Sequence, residues 1–334
     1  MSAEKSSLSV RLQPLLDAFG ERVQFGTPLS KYTAARIGGP AEVFLEVNSS
    51  EELAQAACLL WEAGETFTLI GGGSNLLVSD SGLSGIVLLN RARAQEGGSG
   101  SRGVRFEEMD TGPTVWAEAG VNFGLLARLA AARGFLGLEW AGGIPGTLGG
   151  AVFGNAGAHG VDMASSLLMA EILHRDGREL WPVERLRYEY RSSYLKRNPE
   201  PHVVLGALLR LERSDPGVVQ GKMAELVAFR RRTQPPGASM GSMFKNPQGD
   251  YAGRLIEAAG LKGASQGQAQ ISPLHANFFI NHGGATAQDV LALIRRARET
   301  VAEKFGLELE LEVQLVGEWG AEGSQLAEEP RQSG

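Results

Sequence analysis

Residues 142–160 read Gly-Gly-Ile-Pro-Gly-Thr-Leu-Gly-Gly-Ala-Val-Phe-Gly-Asn-Ala-Gly-Ala-His-Gly. A second glycine cluster, Ile70-Gly71-Gly72-Gly73-Ser74-Asn75-Leu76-Leu77, precedes it by about 70 residues. So much glycine is expected to prevent an ordinary helix or a packed strand. A surface loop would be more polar. Apolar, glycine-dense backbone suits a wall against a large flat or polyphosphate ligand, because a residue without Cβ lets the ligand approach the main-chain N–H groups. The triplet Gly71–Gly73 follows a short strand, Phe67–Ile70, and Ser74 and Asn75 add side-chain donors. It is not a Walker loop, since no Gly-Lys-Ser/Thr follows, nor does a GxGxxG open a long helix here. Two such loops point to a dinucleotide rather than a single phosphate. His159 is read as a histidine near that ligand or in solvent rather than as a base.

The composition agrees. Glycine occurs 45 times in 334 residues, nearly double the usual share of about 7%. With 32 Lys+Arg against 38 Asp+Glu, the net charge is −6, which argues against a nucleic-acid footprint. A hydrophobic share of 43% excludes wholesale disorder. No apolar run approaches the roughly 20 residues of a membrane span. The first residues, MSAEKSSLSVRLQ, lack an apolar signal core, so the expected compartment is the cytoplasm. The lone cysteine, Cys58, excludes an internal disulfide and a cysteine-cluster metal site, and reads as an inert helix thiol. No metal site is expected.

Periodicity predicts an α+β chain in three parts. In the first, strands at Glu42–Val47, Phe67–Ile70 and Gly85–Leu89 surround a helix to about Ala63, with Ser49 and Glu52 as its capping box and Gly64 as its stop. This is a βαβ-like opening. The middle part is mostly strand, at Thr114–Ala119, Leu168–His174 and Val203–Leu211, with one clear helix from about Asn122 to Arg133. The last part carries helices at 219–231, 251–259 and 287–304, the last capped by Thr286 and Asp289, and a strand at Phe278–Asn281. A terminal strand, Glu308–Val316, alternates Leu309, Leu311, Val313 and Leu315 with Glu308, Glu310, Glu312 and Gln314. The stretch Gln95–Gly103 reads as a flexible connection and the residues from Glu322 as a polar tail.

Three further constellations could carry chemistry. Tyr190-Arg191-Ser192-Ser193 offers a guanidinium able to hold a carboxylate and stabilise developing negative charge. Gly241-Ser242-Met243-Phe244-Lys245-Asn246-Pro247 places a serine able to project into a cleft, without the GxSxG elbow of an acyl-enzyme nucleophile. The glutamate face of the terminal strand is the third, and spacing does not choose among Glu308, Glu310 and Glu312.

These pieces, in this order, resemble the UDP-N-acetylenolpyruvoylglucosamine reductases, also called UDP-N-acetylmuramate dehydrogenases. The resemblance runs from about Tyr32 to Gly317. It is carried by Tyr32-Thr33-Ala34-Ala35-Arg36-Ile37-Gly38-Gly39, GGGSN (71–75), GIPGTLGGAVFGNAGAHG (143–160), YRSSYLK (190–196), GSMFKNP (241–247) and LELEV (309–313). Only a short connection, Arg213–Gln220, precedes the third part, so the chain is similar to the family's second type, which lacks a tyrosine-bearing insertion there. Arg231-Arg232-Thr233-Gln234-Pro235 matches that type as well. Two positions depart from the pattern: His159 stands where tyrosine is common, and Met243 where phenylalanine also occurs.

The resemblance implies a two-domain vanillyl-alcohol-oxidase/PCMH-like FAD-binding fold, 1–83 and 84–214, followed by an α+β substrate-binding domain, 215–318, and a tail, 319–334. It implies non-covalent FAD, NADPH as co-substrate, UDP-N-acetylglucosamine enolpyruvate as substrate, no nucleic acid, no membrane insertion and a monomer. By matching positions, Gly71, Gly72, Gly73, Ser74, Asn75, Leu76, Gly143, Ile144, Pro145, Gly146, Gly149, Gly150, Asn155 and Gly157 meet the cofactor. Ser242 takes the proton-donor position, Arg191 and Glu312 the positions that stabilise the transition state, and Tyr190, Gln234 and Asn246 contact substrate. Two other readings stay open at this point. A different flavin oxidase of the same fold would not need GSMFKNP and LELEV, and a nucleotide-sugar-binding protein without catalysis would purify colourless.

Overall fold

The computed structural model describes residues 11–91 and 103–320, together with 323 and 326. Apart from Gly103, the connection at Gln95–Gly103 lies outside the described residues, as does most of the tail. Two compact units divide the chain: Met1–Phe25, Val43–Gly71 and Gly85–Val227 form the first, and Gly26–Glu42, Gly72–Ser84 and Ala228–Gly334 the second.

The first unit is built on an antiparallel sheet of five strands in the order Gly177–Pro182, Leu167–His174, Val203–Arg210, Gly112–Glu118, Val104–Met109. The central strand, Val203–Arg210, is buried along its length except at Arg210. That continuous apolar run reflects cover on both faces. Val204, Ala207 and Leu209 enter a core with Phe123, Leu126 and Trp140, whereas Val203 and Leu205 enter a second core with Leu53, Leu60 and Trp61. The helix Ser50–Glu62 supplies that second core. Its Ser49 cap accepts from the Glu52 N–H, but the return half of the expected capping box is absent. Glu52 instead accepts from the Asn48 N–H and pairs with Arg22, which holds its carboxyl below the usual carboxylate range.

A four-stranded sheet carries Val23–Pro28, Pro40–Val47, Leu83–Asn90 and Phe67–Ile70 in that order. The βαβ-like opening is therefore split, because Leu83–Asn90 lies between its two strands and pairs in parallel with Phe67–Ile70. The middle part also holds short helices that periodicity missed, among them Leu148–Gly154 and Tyr194–Arg197.

One ion pair of this unit gives a pH-dependent expectation. Glu139 is buried and accepts from the Gly137 N–H and from the half-exposed Lys222 ammonium. Burial pushes its carboxyl pKa up, but these donors outweigh burial and the net direction is down. A carboxyl lowered in the folded state contributes stability above its unfolded-state pKa and loses it as pH falls through the folded value. Lys222→Met is expected to lower the unfolding free energy by about 1–2 kcal/mol at neutral pH, between the exposed and buried limits for ion pairs. The deficit should shrink as pH drops below about 4.5, which chemical denaturation at several pH values would measure.

The second unit packs the helix Ala287–Phe305 over a three-stranded antiparallel sheet, Ser265–Gln266, Ala269–Ile271 and Phe279–Asn281, with the helix Ala252–Ala258 beside it. Thr286 and Asp289 form the expected capping box, and Gly306 ends the helix in the left-handed conformation. Asp80, unforeseen from the sequence, accepts from the first two helical N–H groups, Ala287 and Gln288. A carboxylate there also complements the helix dipole.

The terminal strand is shorter than predicted. Only Gln314–Val316 forms a ladder, parallel to Leu76–Val78. Upstream, the same extended run turns to Met243–Lys245, giving the Phe244–Leu311 bridge and the Lys245 N–H···O Glu310 and Glu312 N–H···O Met243 bonds. The alternation itself holds: Leu309 and Val313 are buried in the core, Leu311 and Leu315 pack against it, and Glu308 is exposed.

Candidate functional site

The glycine turn at the end of Phe67–Ile70 has two glycines that no other residue could replace without a shift. A Cβ on Gly71 would stand 2.4 Å from Thr147 Oγ1, within the first unit. A Cβ on Gly73, which has φ +57°, would stand 2.2 Å from the Tyr32 carbonyl oxygen, within the second. Gly73 in turn accepts from the Ala34 N–H. The amides of Gly71, Gly72 and Gly73 donate to no acceptor among the described residues. Main-chain N–H groups on side-chain-free backbone are donors of the kind that an oxyanion such as a pyrophosphate uses.

The glycine-rich stretch 142–160 corrects the expectation that it could not form a helix. Thr147 caps a helix, Leu148–Gly154, by accepting from the Gly150 N–H. Several glycines there serve close packing. A Cβ on Gly149 would meet Ala119 Cβ at 2.8 Å, and one on Gly142 would meet the Met223 side chain at 2.6 Å. Gly143, Pro145 and Gly150 are exposed, while Ile144 and Gly146 are half-buried. Asn155 ends the helix with φ +46°. Gly157–Ala158 and Val161–Asp162 then make a two-residue hairpin with His159 (φ +57°) and Gly160 (φ +80°) at its tip. Two positive φ values are what such a turn requires, and His159 is exposed there.

Arg191 sits on a tight turn, Glu189–Ser192, itself at φ +57°. Its Nη2 donates to the Gly157 carbonyl at 2.9 Å, and its guanidinium carbon lies 5.1 Å from the centre of the exposed Tyr190 ring. Asn155, expected at the cofactor, has its side chain engaged within the protein. Nδ2 donates to Glu189 O at 2.9 Å and to Asp162 Oδ2 at 3.2 Å, while Oδ1 accepts from Ala164 N–H at 3.1 Å.

In the second unit the structure brings Ser242, Asn246, Asn75 and Glu312 onto one framework. Gly241, at φ +80°, turns the chain into Ser242, which bridges to Phe278. Asn277 then holds the next two residues. Its carbonyl accepts from the Met243 N–H at 2.8 Å, and its buried side chain accepts from Phe244 N–H at 2.9 Å and donates to Phe244 O at 2.8 Å. Sequence reasoning missed Asn277; its only signal was an amide inside the apolar run Ala276–Ile280. His275 Nδ1 accepts from the Asn277 N–H, and burial pushes the His275 pKa down, favouring the neutral ring that can accept.

Among the three glutamates, Glu310 pairs with Lys245 and Glu308 is exposed. Glu312 is fixed through its backbone. Its N–H donates to Met243 O at 2.9 Å, and its carbonyl accepts from Asn75 Nδ2 at 3.0 Å. Asn246 is exposed, with Oδ1 accepting from the Ala252 N–H at the start of a helix. Gln234 is half-buried just beyond the helix Pro216–Thr233. By contrast, the half-buried Ser242 hydroxyl makes no hydrogen bond among the described residues. No group of three metal-ligating side chains and no helix long and apolar enough to cross a membrane occurs among the described residues.

Two family models match. An FAD binding domain covers residues 41–181, and the C-terminal domain of UDP-N-acetylenolpyruvoylglucosamine reductase covers 233–316. The reductase of Rubrobacter xylanophilus is 47% identical over 297 residues, 88% of this chain and 95% of that protein. That of Chloroflexus aggregans is 44% identical over 318 residues, 93% of this chain and all of that protein. Among solved structures, UDP-N-acetylenolpyruvylglucosamine reductase from Thermus caldophilus superposes with a TM-score of 0.73 at 35% identity, covering 88% of this chain and 99% of that one.

Proposed function

The chain belongs to the UDP-N-acetylenolpyruvoylglucosamine reductase family, and from that premise we propose how its residues carry the reduction and what supplies the hydride. It is an FAD-dependent oxidoreductase of peptidoglycan precursor synthesis. We assign NADPH as reductant and UDP-N-acetylglucosamine enolpyruvate as substrate, with UDP-N-acetylmuramate as product. The reaction is assigned to a cytoplasmic monomer.

FAD, when bound, supplies hydride transfer, taking hydride from the nicotinamide and passing it to the substrate. The main-chain amides of Gly71, Gly72 and Gly73, with Ser74, Asn75 and Leu76, are assigned to hold its pyrophosphate. Gly143, Ile144, Pro145, Gly146, Gly149, Gly150 and Gly157 are assigned to line its path.

The substrate's double bond is conjugated to a carboxylate. Hydride addition at the terminal carbon therefore pushes charge into that carboxylate and gives an enolate-like dianion. Stabilising this charge is the main task of the protein. Arg191 carries a permanent charge on a planar fork and is the clamp for the carboxylate. Glu312, in its protonated or proton-sharing form, is the group that can donate a hydrogen bond to the same developing charge. Ser242 delivers a proton to the carbon bearing the ether oxygen, which completes the new C–H bonds. Tyr190, Gln234 and Asn246 position the sugar nucleotide. The observation that carries this reading is the half-buried Ser242 hydroxyl, without a hydrogen-bond partner among the described residues where the surrounding polar side chains Asn277, Lys245 and Asn246 are engaged.

Two results are expected. The purified protein is yellow and releases FAD on acid denaturation, whereas FMN, or no flavin after reconstitution, would contradict the cofactor assignment. NADPH consumption depends on added enolpyruvyl sugar nucleotide, and an anaerobic rate independent of that substrate would overturn the proposed activity.

A further inference from the structure

The turn that carries Arg191 is fastened to the end of the glycine-rich helix Leu148–Gly154 at three points within the first unit. Tyr188 Oη donates to the Val152 carbonyl at 2.8 Å. Ser193 Oγ donates to the Phe153 carbonyl at 2.6 Å. Asn155 Nδ2 donates to the Glu189 carbonyl at 2.9 Å. The last carbonyls of a helix have no intrahelical partner, so two of these bonds satisfy acceptors that the short helix leaves open. Asn155 and Ser193 are buried. The Tyr188 hydroxyl is held neutral, its pKa raised chiefly by burial and secondarily by Asp162.

Arg191 itself adopts φ +57°, a conformation non-glycine residues rarely take and which persists only where the surroundings impose it. Gly157, two residues beyond Asn155, accepts from the guanidinium, and a Cβ there would stand 3.1 Å from Arg191 Nη1. The helix end and the hairpin after it thus fix both the backbone and the head group of Arg191.

We propose that Asn155 is a positioning residue for Arg191, with Tyr188 and Ser193 as its supports: it sets where the guanidinium meets the substrate's carboxylate instead of touching the cofactor. The inference rests on the charge-stabilising reading of Arg191 given above. Misplacing a reacting group by about 1 Å can cost 10²-fold in rate, so hydrogen bonds remote from substrate can control the step.

The test is a double-mutant cycle on the flavin-loaded enzyme, with the two half-reactions followed separately by stopped flow. Asn155→Gly removes the side chain while glycine keeps the left-handed backbone without strain. Tyr188→Phe removes one hydroxyl and serves if the first variant does not fold. Asn155→Gly is expected to slow reoxidation of reduced flavin by the enolpyruvyl substrate by about 10–10²-fold. The corresponding loss for Tyr188→Phe is about 2–10-fold, the range of one hydrogen bond. Flavin reduction by NADPH stays within about twofold. On an Arg191→Ala background neither substitution slows reoxidation further, because the cycle cancels effects that run through Arg191. An equal factor on both backgrounds, an equal loss in both half-reactions, or parent rates throughout would overturn the proposal. If Arg191→Ala alone reoxidises at the parent rate, the reading of Arg191 itself has failed, and this inference with it.

Discussion

Ser242→Ala is expected to slow reoxidation of the reduced flavin by the enolpyruvyl sugar nucleotide by at least about 10²-fold, the low end of general acid–base contributions. The substitution removes one oxygen that has no partner among the described residues. Local structure should survive, because the segment is held through backbone groups: Met243 and Phe244 by Asn277, and Lys245 by Glu310. Flavin reduction by NADPH needs no such proton donor and should run at close to the parent rate. Ser242→Cys should recover part of the loss, since a thiol can donate a proton from nearly the same place. Stopped-flow measurement of both half-reactions decides the matter. If the alanine variant reoxidises at near-parent speed, the proton comes from another group and Ser242 only shapes the turn after Gly241.

Arg191→Lys is expected to slow the same half-reaction by roughly 10²-fold, comparable to removing one donor from an oxyanion site. Lysine keeps the charge but not the planar fork, and it cannot donate to Gly157 and the substrate from the same rigid head group. Flavin reduction should be little changed. Equal losses in both half-reactions would instead place Arg191 in folding or in the flavin site.

Much of the fold could be read from local signals. The helix starts at Ser49, Asn122 and Thr286 follow from side chains that cap within three residues. The buried strand at Val203–Arg210 follows from its continuous apolar run. What escaped reading depends on partners far along the chain. Glycine in a helix costs up to about 1 kcal/mol per residue, which argued against Leu148–Gly154. That cost is offset by the Gly149–Ala119 approach and by Tyr188 and Ser193, 36 and 40 residues from the carbonyls they satisfy. The terminal strand kept its alternation but lost half its ladder, because Glu310–Glu312 and Gln314–Val316 have different partners. The two units also exchange the chain at Phe25–Gly26, Glu42–Val43, Gly71–Gly72, Ser84–Gly85 and Val227–Ala228, which no linear composition shift announces.

The candidate site divides the same way. Ser242, Arg191 and the glycine triplet stood out by residue type and neighbours. Among Glu308, Glu310 and Glu312, spacing could not choose; the fold separates them by giving Lys245 to Glu310 and backbone anchors from Met243 and Asn75 to Glu312. Asn277 resisted reading for a related reason. An amide side chain states what it can bond to, not which carbonyl will reach it.

The most direct test of the account is an anaerobic single turnover. The flavin-loaded protein is reduced with one equivalent of NADPH, freed of nicotinamide, and mixed with UDP-N-acetylglucosamine enolpyruvate in the absence of oxygen. The account predicts full return of the oxidised flavin spectrum, with one UDP-N-acetylmuramate formed for each flavin reoxidised. Flavin that stays reduced until oxygen is admitted, with the enolpyruvyl group intact, would contradict it.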